Sequence, residues 1–226
     1  MLVLALDTSG AAVTAALHDG TTVVARRSTA DARRHAELLA PSVAAVLAEA
    51  GADRTDLTTV AVGVGPGPFT GLRAGIVTAR VLGLALGIDV VGVCSLDALA
   101  LQVVLTGRDG LGDRFAVTTD ARRHELYWAL YAPSGDGGVP RRLDGPHVTA
   151  PGEVPGGVPV TGRGATLYPD RFEPPDGPLD VDAGALAEVA VQGLAQGAGE
   201  VLLPPEPLYL RRPDATPPGA RKRVLS

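Results

Sequence analysis

From Gly63 to Gly71 the chain reads GVGPGPFTG, and from there Gly71, Gly75, Ala79, Gly83 and Gly87 recur every four residues. No other stretch limits the possible folds as strongly. Pro66 and Pro68 belong in a turn rather than inside a helix, while the four-residue period that follows is helical. TTVAVGVGPGP therefore predicts a strand running into a rigid turn, and FTGLRAGIVTARVLGLALG a helix over 69–87. One side of that helix is a smooth ridge of small residues, which lets another helix approach to backbone contact.

Around this unit strands and helices alternate. LVLALD at 2–7 is an apolar strand ending in Asp7-Thr8-Ser9-Gly10, and 12–18 with 21–27 form a hairpin about Asp19-Gly20. Leu39, Val43, Val46, Leu47 and Ala50 predict a helix over 35–50, stopped by Gly51, with an irregular first turn because of Pro41. DVVGVCS predicts a buried strand, followed by a short helix from about Leu96. Thr70 and Ser95 are the expected N-caps of the second and third helices. Three strands followed by helix-strand-helix-strand-helix imply an α/β fold, a mixed sheet with helices packed on it.

Near residue 114 the order restarts. Arg114 to Asp120 reads as a strand ending in an acid, and ELYWALYA at 125–132 as a second, aromatic strand. The second half is thus expected to be a degenerate duplicate of the first. Between Pro133 and Asp182 glycine and proline are too frequent for more than a small, loop-rich core, with pieces such as Val158–Thr161 and one closing helix over 183–196.

Composition removes several chemistries. Of the 20 basic residues only Lys222 is a lysine, and it lies in the tail. A Walker A loop, a Schiff-base enzyme and a Ser-x-x-Lys nucleophile each need a lysine beside the chemistry, so all three are excluded. The net charge of −5 has the wrong sign for a chain that grips nucleic acid unaided through counterion release. Asparagine is absent, and the abundance of Ala, Gly, Arg and Pro is what a coding bias toward G and C supplies, so the arginine content is not a functional signal. Cys94 is the one cysteine, which excludes disulfides and cysteine-based zinc sites and reads as an inert core thiol. His18, His35, His124 and His147 are far apart, with no H-x-x-x-H pair, so no metal and no cofactor are assigned. MLVLALDTSG lacks a basic n-region, and Arg80, Asp89 and Asp97 break the apolar stretch from Gly75 to Leu105. Neither a signal peptide nor a membrane span is expected, and the cytoplasm is the expected compartment.

Three groups of residues are candidates for function. The loop and its surroundings, Asp7, Thr8, Gly65, Gly67, Phe69, Thr70 and Arg73, have the character of an anion-binding turn at a helix N-terminus. The loop matches neither the dinucleotide fingerprint nor the Walker spacing, and a rigid turn with Asp7 capping its own strand end is the plainer reading. Phe69, the only aromatic among the first 114 residues, is either a loop anchor or an aromatic presented to a partner. Asp120 and Arg122, in DARRH at 120–124, form a polar cluster that is either a solvated turn or part of an interdomain cleft. The third group lies on two helices too apolar for a solvated face. Leu39, Val43 and Val46 on the first, with Gly71, Leu72, Gly75, Ile76, Ala79 and Gly83 on the second, point either to a protein–protein interface or to the chain's own core. The doublets Arg33-Arg34, Arg122-Arg123, Arg141-Arg142 and Arg211-Arg212 read as solvated charge.

The segments LALDTS at 4–9, RRHAELLAP at 33–41, GVGPGPFTGLRAG at 63–75, CSLDALA at 94–100, DARRHELYWALY at 120–131 and PLYLR at 207–211 resemble the TsaB family, formerly YeaZ, in order along almost the whole chain. The resemblance implies the ASKHA fold of actin, sugar kinases and Hsp70, in two related lobes of which the second is reduced. It also implies a bacterial, cytoplasmic, non-catalytic subunit of the machinery that places threonylcarbamoyl on the adenosine beside the tRNA anticodon. Its implied partners are the catalytic paralogue TsaD, which binds through the first two helices, and the ATPase TsaE, with TsaC making the threonylcarbamoyl-adenylate. Transfer RNA is then reached only through the complex, and a homodimer through the same helices is expected when the partner is missing. The paralogue's H-x-x-x-H metal pair has no counterpart in this sequence. Pro68 departs from the serine more frequent in the family, and 133–182 carries no alignable motif. Residues 1–107 are expected to form the lobe with the partner-binding helices and 108–226 the smaller one. The rival functions are a glycoprotease-like peptidase, for which neither nucleophile nor metal spacing is present, and a nucleotide-binding ATPase using Asp7 and the 63–71 loop.

Overall fold

The computed structural model describes residues 1–31, 34–107, 111–135, 137–175, 177–197 and 201–211. Strands β1 (Val3–Asp7), β2 (Ala12–His18) and β3 (Val23–Ala30) form an antiparallel meander. After helix α1 (His35–Ala50), β4 (Thr59–Gly63) returns parallel to β1. After α2 (Phe69–Leu86), β5 (Asp89–Val93) lies parallel to β4. Each parallel return needs a long crossover, and a helix supplies it. Helix α3 (Ser95–Leu105) then leads to a second sheet of β6 (Phe115–Asp120), β7 (Leu126–Ala132), β8 (Arg141–Thr149) and β9 (Val160–Thr161). The remaining elements are α4 (Arg163–Thr166), α5 (Ala183–Ala195) and β10 (Leu202–Leu203).

The sheets run β10-β5-β4-β1-β2-β3 and β8-β7-β6-β9. In each, the first strand pairs antiparallel with the second, the third lies beyond the second, and the fourth pairs parallel on the other side of the first. The repeated course makes this the expected α/β, ASKHA-type architecture of two related lobes. The second is the reduced one: where the first has α1 and α2, it has a single turn at Pro151–Glu153 and the four-residue α4.

The core is layered. On one face of the first sheet Leu4, Leu6, Val60 and Val62 pack with Leu39, Val43 and Val46 of α1 and with Leu72 and Ile76 of α2. On the other face α3 and α5 fill the space between the sheets, joined by Phe115 and Tyr131. A smaller cluster about Leu126, Trp128 and Phe172 covers the far side of the second sheet.

Several expectations need correction. α1 runs through Pro41 without a break; Glu37, whose carbonyl loses its donor, is exposed on the same side and open to solvent. The N-cap of α2 is Pro68, in extended conformation, and Thr70 already lies in the first turn. Cys94 holds the N-cap position of α3 without a side-chain capping bond, and Ser95, the first helical residue, donates its hydroxyl to Asp7 instead. Region 133–182 contains the nine-residue strand β8, half-buried along most of its length. A division at residue 107 does not separate the sheets either: β10 completes the edge of the first, and α5 packs on β1 and β2. Arg33, Arg212 and the basic tail with Lys222 lie outside the described residues.

Candidate functional site

The lobes meet at a cleft of about 240 Å³, bounded by the turn after β1, the starts of α1 and α2, and Thr119, Asp120, Arg122, Arg163 and Asp180. Behind it Asp7 is 1% exposed. Its Oδ1 accepts the Ser9 N–H and hydroxyl, each at 2.8 Å, and its Oδ2 accepts the Ser95 hydroxyl at 2.6 Å. Ser95 Oγ in turn accepts the Gly65 N–H at 3.1 Å. Burial raises the carboxyl above its usual range, opposed by these hydrogen bonds. Asp7 thus braces its own turn and ties the 63–68 loop to α3.

The glycines of the loop have a structural reason. A Cβ on Gly67 would run into the Ser9 carbonyl, and one on Gly71 would stand 2.5 Å from the Thr8 carbonyl. Thr8 Oγ1 donates to the Gly71 carbonyl at 2.7 Å and accepts the Gly75 N–H at 3.0 Å. The close backbone approach that the spacing implies is therefore made to the chain's own β1–β2 turn.

The same holds for the ridge on α2, and here the residue-level expectation is corrected. Gly71, Gly75, Ala79 and Gly83 are buried, with Gly75 against Thr8 and Val62 and Gly83 against Val90. Leu39, Val43, Val46, Leu72 and Ile76 are likewise core residues. Helices that look too apolar all round bury one face on the sheet and leave the other outward. That outward face of α2 carries Arg73, Val77, Arg80, Val81 and Leu84, the last 85% exposed. On α1 it carries Ala36, Ala40, Ala44 and Ala48 at four-residue spacing. α2 is the one described helix long and apolar enough to cross a membrane, but it is a layer of the fold with its inner face on the sheet.

At the start of α2 Phe69 is neither buried nor alone. Its ring stacks on Tyr209 at 5.3 Å between centroids, and the Arg73 guanidinium lies 3.8 Å over it while Arg73 Nε donates to the Tyr209 hydroxyl at 3.2 Å. Across the cleft Asp120 Oδ1 accepts the Arg122 N–H at 2.7 Å, and its Oδ2 is 3.4 Å from Arg122 Nη1. Arg122, Arg123 and His124 all have φ between 55° and 62°, a run that residues other than glycine rarely adopt. Arg211 reaches this turn, donating from Nη1 to the Ala121 carbonyl at 3.2 Å and pairing with Glu125.

Three contributions were not foreseen from sequence. Tyr209 and Arg211 lie in PLYLR, whose motif was visible but whose destination was not. Arg163 pairs with Asp180 at the cleft, with Nε 2.7 Å from Oδ1. Asp97 on α3, pushed up by burial, accepts the Tyr131 hydroxyl at 2.7 Å and Arg142 Nη2 at 3.2 Å, tying α3 to the second sheet. The neighbouring Cys94 thiol is fully buried and pushed up to about 12, first by burial and then by Asp97, which keeps it protonated and inert. His18 pairs with Glu188 at 2.9 Å, His35 with the Gly10 carbonyl at 3.1 Å and His147 with Asp144 at 2.7 Å. Among the described residues no three His, Cys, Asp or Glu side chains gather as a metal site.

Comparison with known proteins adds the following. The family model described as TsaD, tRNA N6-adenosine threonylcarbamoyltransferase, matches residues 23–153. An uncharacterized protein of Mycobacterium tuberculosis (strain ATCC 25618 / H37Rv) is 45% identical over 218 residues, 95% of this chain and 94% of the relative. The tRNA threonylcarbamoyladenosine biosynthesis protein TsaB of Escherichia coli K12 is 35% identical over 137 residues, 61% of this chain and 58% of the relative. The solved structure of YeaZ from Pseudomonas aeruginosa superposes with a TM-score of 0.76 at 30% identity, covering 92% of this chain and 99% of that one.

Proposed function

The chain belongs to the TsaB (YeaZ) family, and from that premise we propose that it serves tRNA threonylcarbamoyladenosine biosynthesis as a non-catalytic subunit that docks on the catalytic paralogue TsaD. The observation that carries this reading is the outward face of α1 and α2. Val77, Val81 and Leu84 are 57%, 59% and 85% exposed on one helix, beside a row of exposed alanines on the next. A contiguous apolar face of this kind marks an interaction surface, and the alanines allow a partner helix close approach. Arg73 and Arg80 border the face and favour carboxylates on the partner. The loop that an ATPase would turn to phosphate is packed instead on Thr8 and Ser9, and Asp7 is enclosed by Ser9 and Ser95.

In this reading TsaE joins the docked pair, TsaC supplies the threonylcarbamoyl-adenylate, and tRNA is held by the complex in the cytoplasm. Without TsaD the same face closes on a second copy of the chain. The test is size-exclusion and calorimetric titration of the chain and its Leu84→Asp and Val81→Glu variants with TsaD from the same organism. Both variants should keep the wild-type melting temperature within a few degrees, and each should weaken binding at least about tenfold, the loss of an apolar interface anchor. Undiminished binding by both would place the interface elsewhere.

A further inference from the structure

We propose that residues 204–211 form a strap that couples the start of α2, at the edge of the docking face, to the turn at residues 121–125 of the second lobe. The coupling part rests on the docking reading given above; the holding of the turn does not.

The strap begins where β10 pairs with Val93 and Gly92 of β5. Gly92 has no room for a side chain because the Leu203 and Pro204 carbonyls lie against it. The segment then runs beside the 63–68 loop, Leu208 N–H donating to the Val64 carbonyl at 2.8 Å, and Leu208 packs on the core. Tyr209 next stacks on Phe69 and meets Arg73. Two residues on, Arg211 crosses to the other lobe, to Glu125 and the Ala121 carbonyl.

The turn that Arg211 reaches holds the positive-φ residues other than glycine among the described residues. Three consecutive residues other than glycine with φ near +60° carry a conformational cost at each position. Bonds within the turn include Ala121 N–H to the Glu125 carbonyl, Glu125 N–H to the Arg122 carbonyl and Arg122 N–H to Asp120. Arg122, Arg123 and His124 are exposed, so burial does not fix them. The Arg211 guanidinium donates to the Ala121 carbonyl and lies against the Glu125 carboxylate, so one side chain spans the first and last residues of the turn. Within residues 209–211 the strap touches Phe69 and Arg73 and then this turn. A load on the start of α2 therefore reaches the cleft mouth through Tyr209 and Arg211.

Hydrogen exchange of the full chain, alone and with TsaD added, tests this at the amides of 63–71 and 121–125. In the free chain Arg211→Ala should raise exchange at 121–125 about tenfold, the effect of losing a charge-assisted hydrogen bond on local opening. Arg211→Lys, which keeps the charge without the fork, should restore part of the protection. With TsaD the wild type should gain protection both on α2 and at 121–125, and Arg211→Ala on α2 alone. Unchanged exchange at 121–125 in a folded Arg211→Ala chain overturns the strap. Protection of the turn by TsaD that persists in Arg211→Ala overturns the coupling, since the partner then reaches the turn directly. If TsaD does not bind the wild type, docking and coupling fall together, and the free-chain exchange still decides whether Arg211 holds the turn.

Discussion

The acid that ends the first strand of each sheet meets opposite surroundings. Asp7 is enclosed, its carboxylate satisfied by Ser9 and Ser95, and the following turn lies under the glycines of α2. Asp120 stands at the same place in the second sheet, with a side chain 27% exposed, and the following turn is held by its own backbone, by Asp120 and by Arg211. The difference follows from the helices. In the first lobe the first turns of the 18-residue α2, through Gly71 and Gly75, lie over the end of β1 and bury what is beneath. In the second α4 has four residues, and the strand end is left to side chains arriving from elsewhere. A repeated strand order therefore fixes the backbone course but not how the strand ends are stabilised.

The largest test of this contrast is Gly75→Leu. A Cβ at Gly75 already meets Thr8 Oγ1 at 2.6 Å, so the variant should lose on the order of 3 kcal/mol or more by overpacking of the chain's own core. Denaturant unfolding should report this before any partner is added; a wild-type midpoint would mean that the ridge does not bear on the first lobe. Next comes Gly162→Ala, after β9, where φ is 93° and a Cβ would run into the Thr118 carbonyl. It should cost about 1 to 3 kcal/mol in backbone strain alone, with the loss of near-UV dichroism centred on Trp128.

Asp7→Asn should cost about 1 to 3 kcal/mol, in a pH-dependent way. The folded chain holds the Asp7 proton above the ordinary 3.8, while the unfolded chain releases it there. Wild-type stability from this group therefore falls as pH rises from about 4 through the folded pKa, and is level beyond it. The Asn variant lacks that slope, so the gap between the two should narrow with rising pH in a urea-melt series. The smallest effect is expected from Asp120→Ala, about 0.5 to 1.5 kcal/mol for the loss of one half-exposed hydrogen bond, seen as faster exchange of the Arg122 amide. A loss equal to that of Asp7→Asn would erase the contrast between the lobes.

Legibility in the sequence follows the same division. α1, α2, α3 and α5 were readable because apolar residues recur at helical spacing and glycine stops two of them. β1, β6 and β7 were readable because they are buried, short and followed by turn residues. β8 was not: RRLDGPHVT is largely polar and holds a glycine and a proline, and its place is set by pairing with β7 rather than by its own pattern. The identity of the apolar helices as packing elements was legible, but not which face turned inward. A helix with small or apolar residues on every side gives no phase, and only the neighbouring sheet supplies it. Arg211 and Tyr209 escaped because their partners lie at least 86 and 136 residues away in sequence, beyond any local signal.

β10 adds a point about order in time. The first sheet, most of it encoded before residue 94, receives its outer strand from residues 202 and 203, and its inner face receives α5 from residues 183–195. A chain emerging from the ribosome at about 5 to 20 residues per second leaves Val91, Val93 and the face beneath α5 uncovered for about 5 to 20 seconds before the covering segments exist. The first lobe cannot mature as an independent early domain. Its completion waits until residues 183–203 have been made, and a truncated product ending before α5 would present that apolar face to whatever meets it.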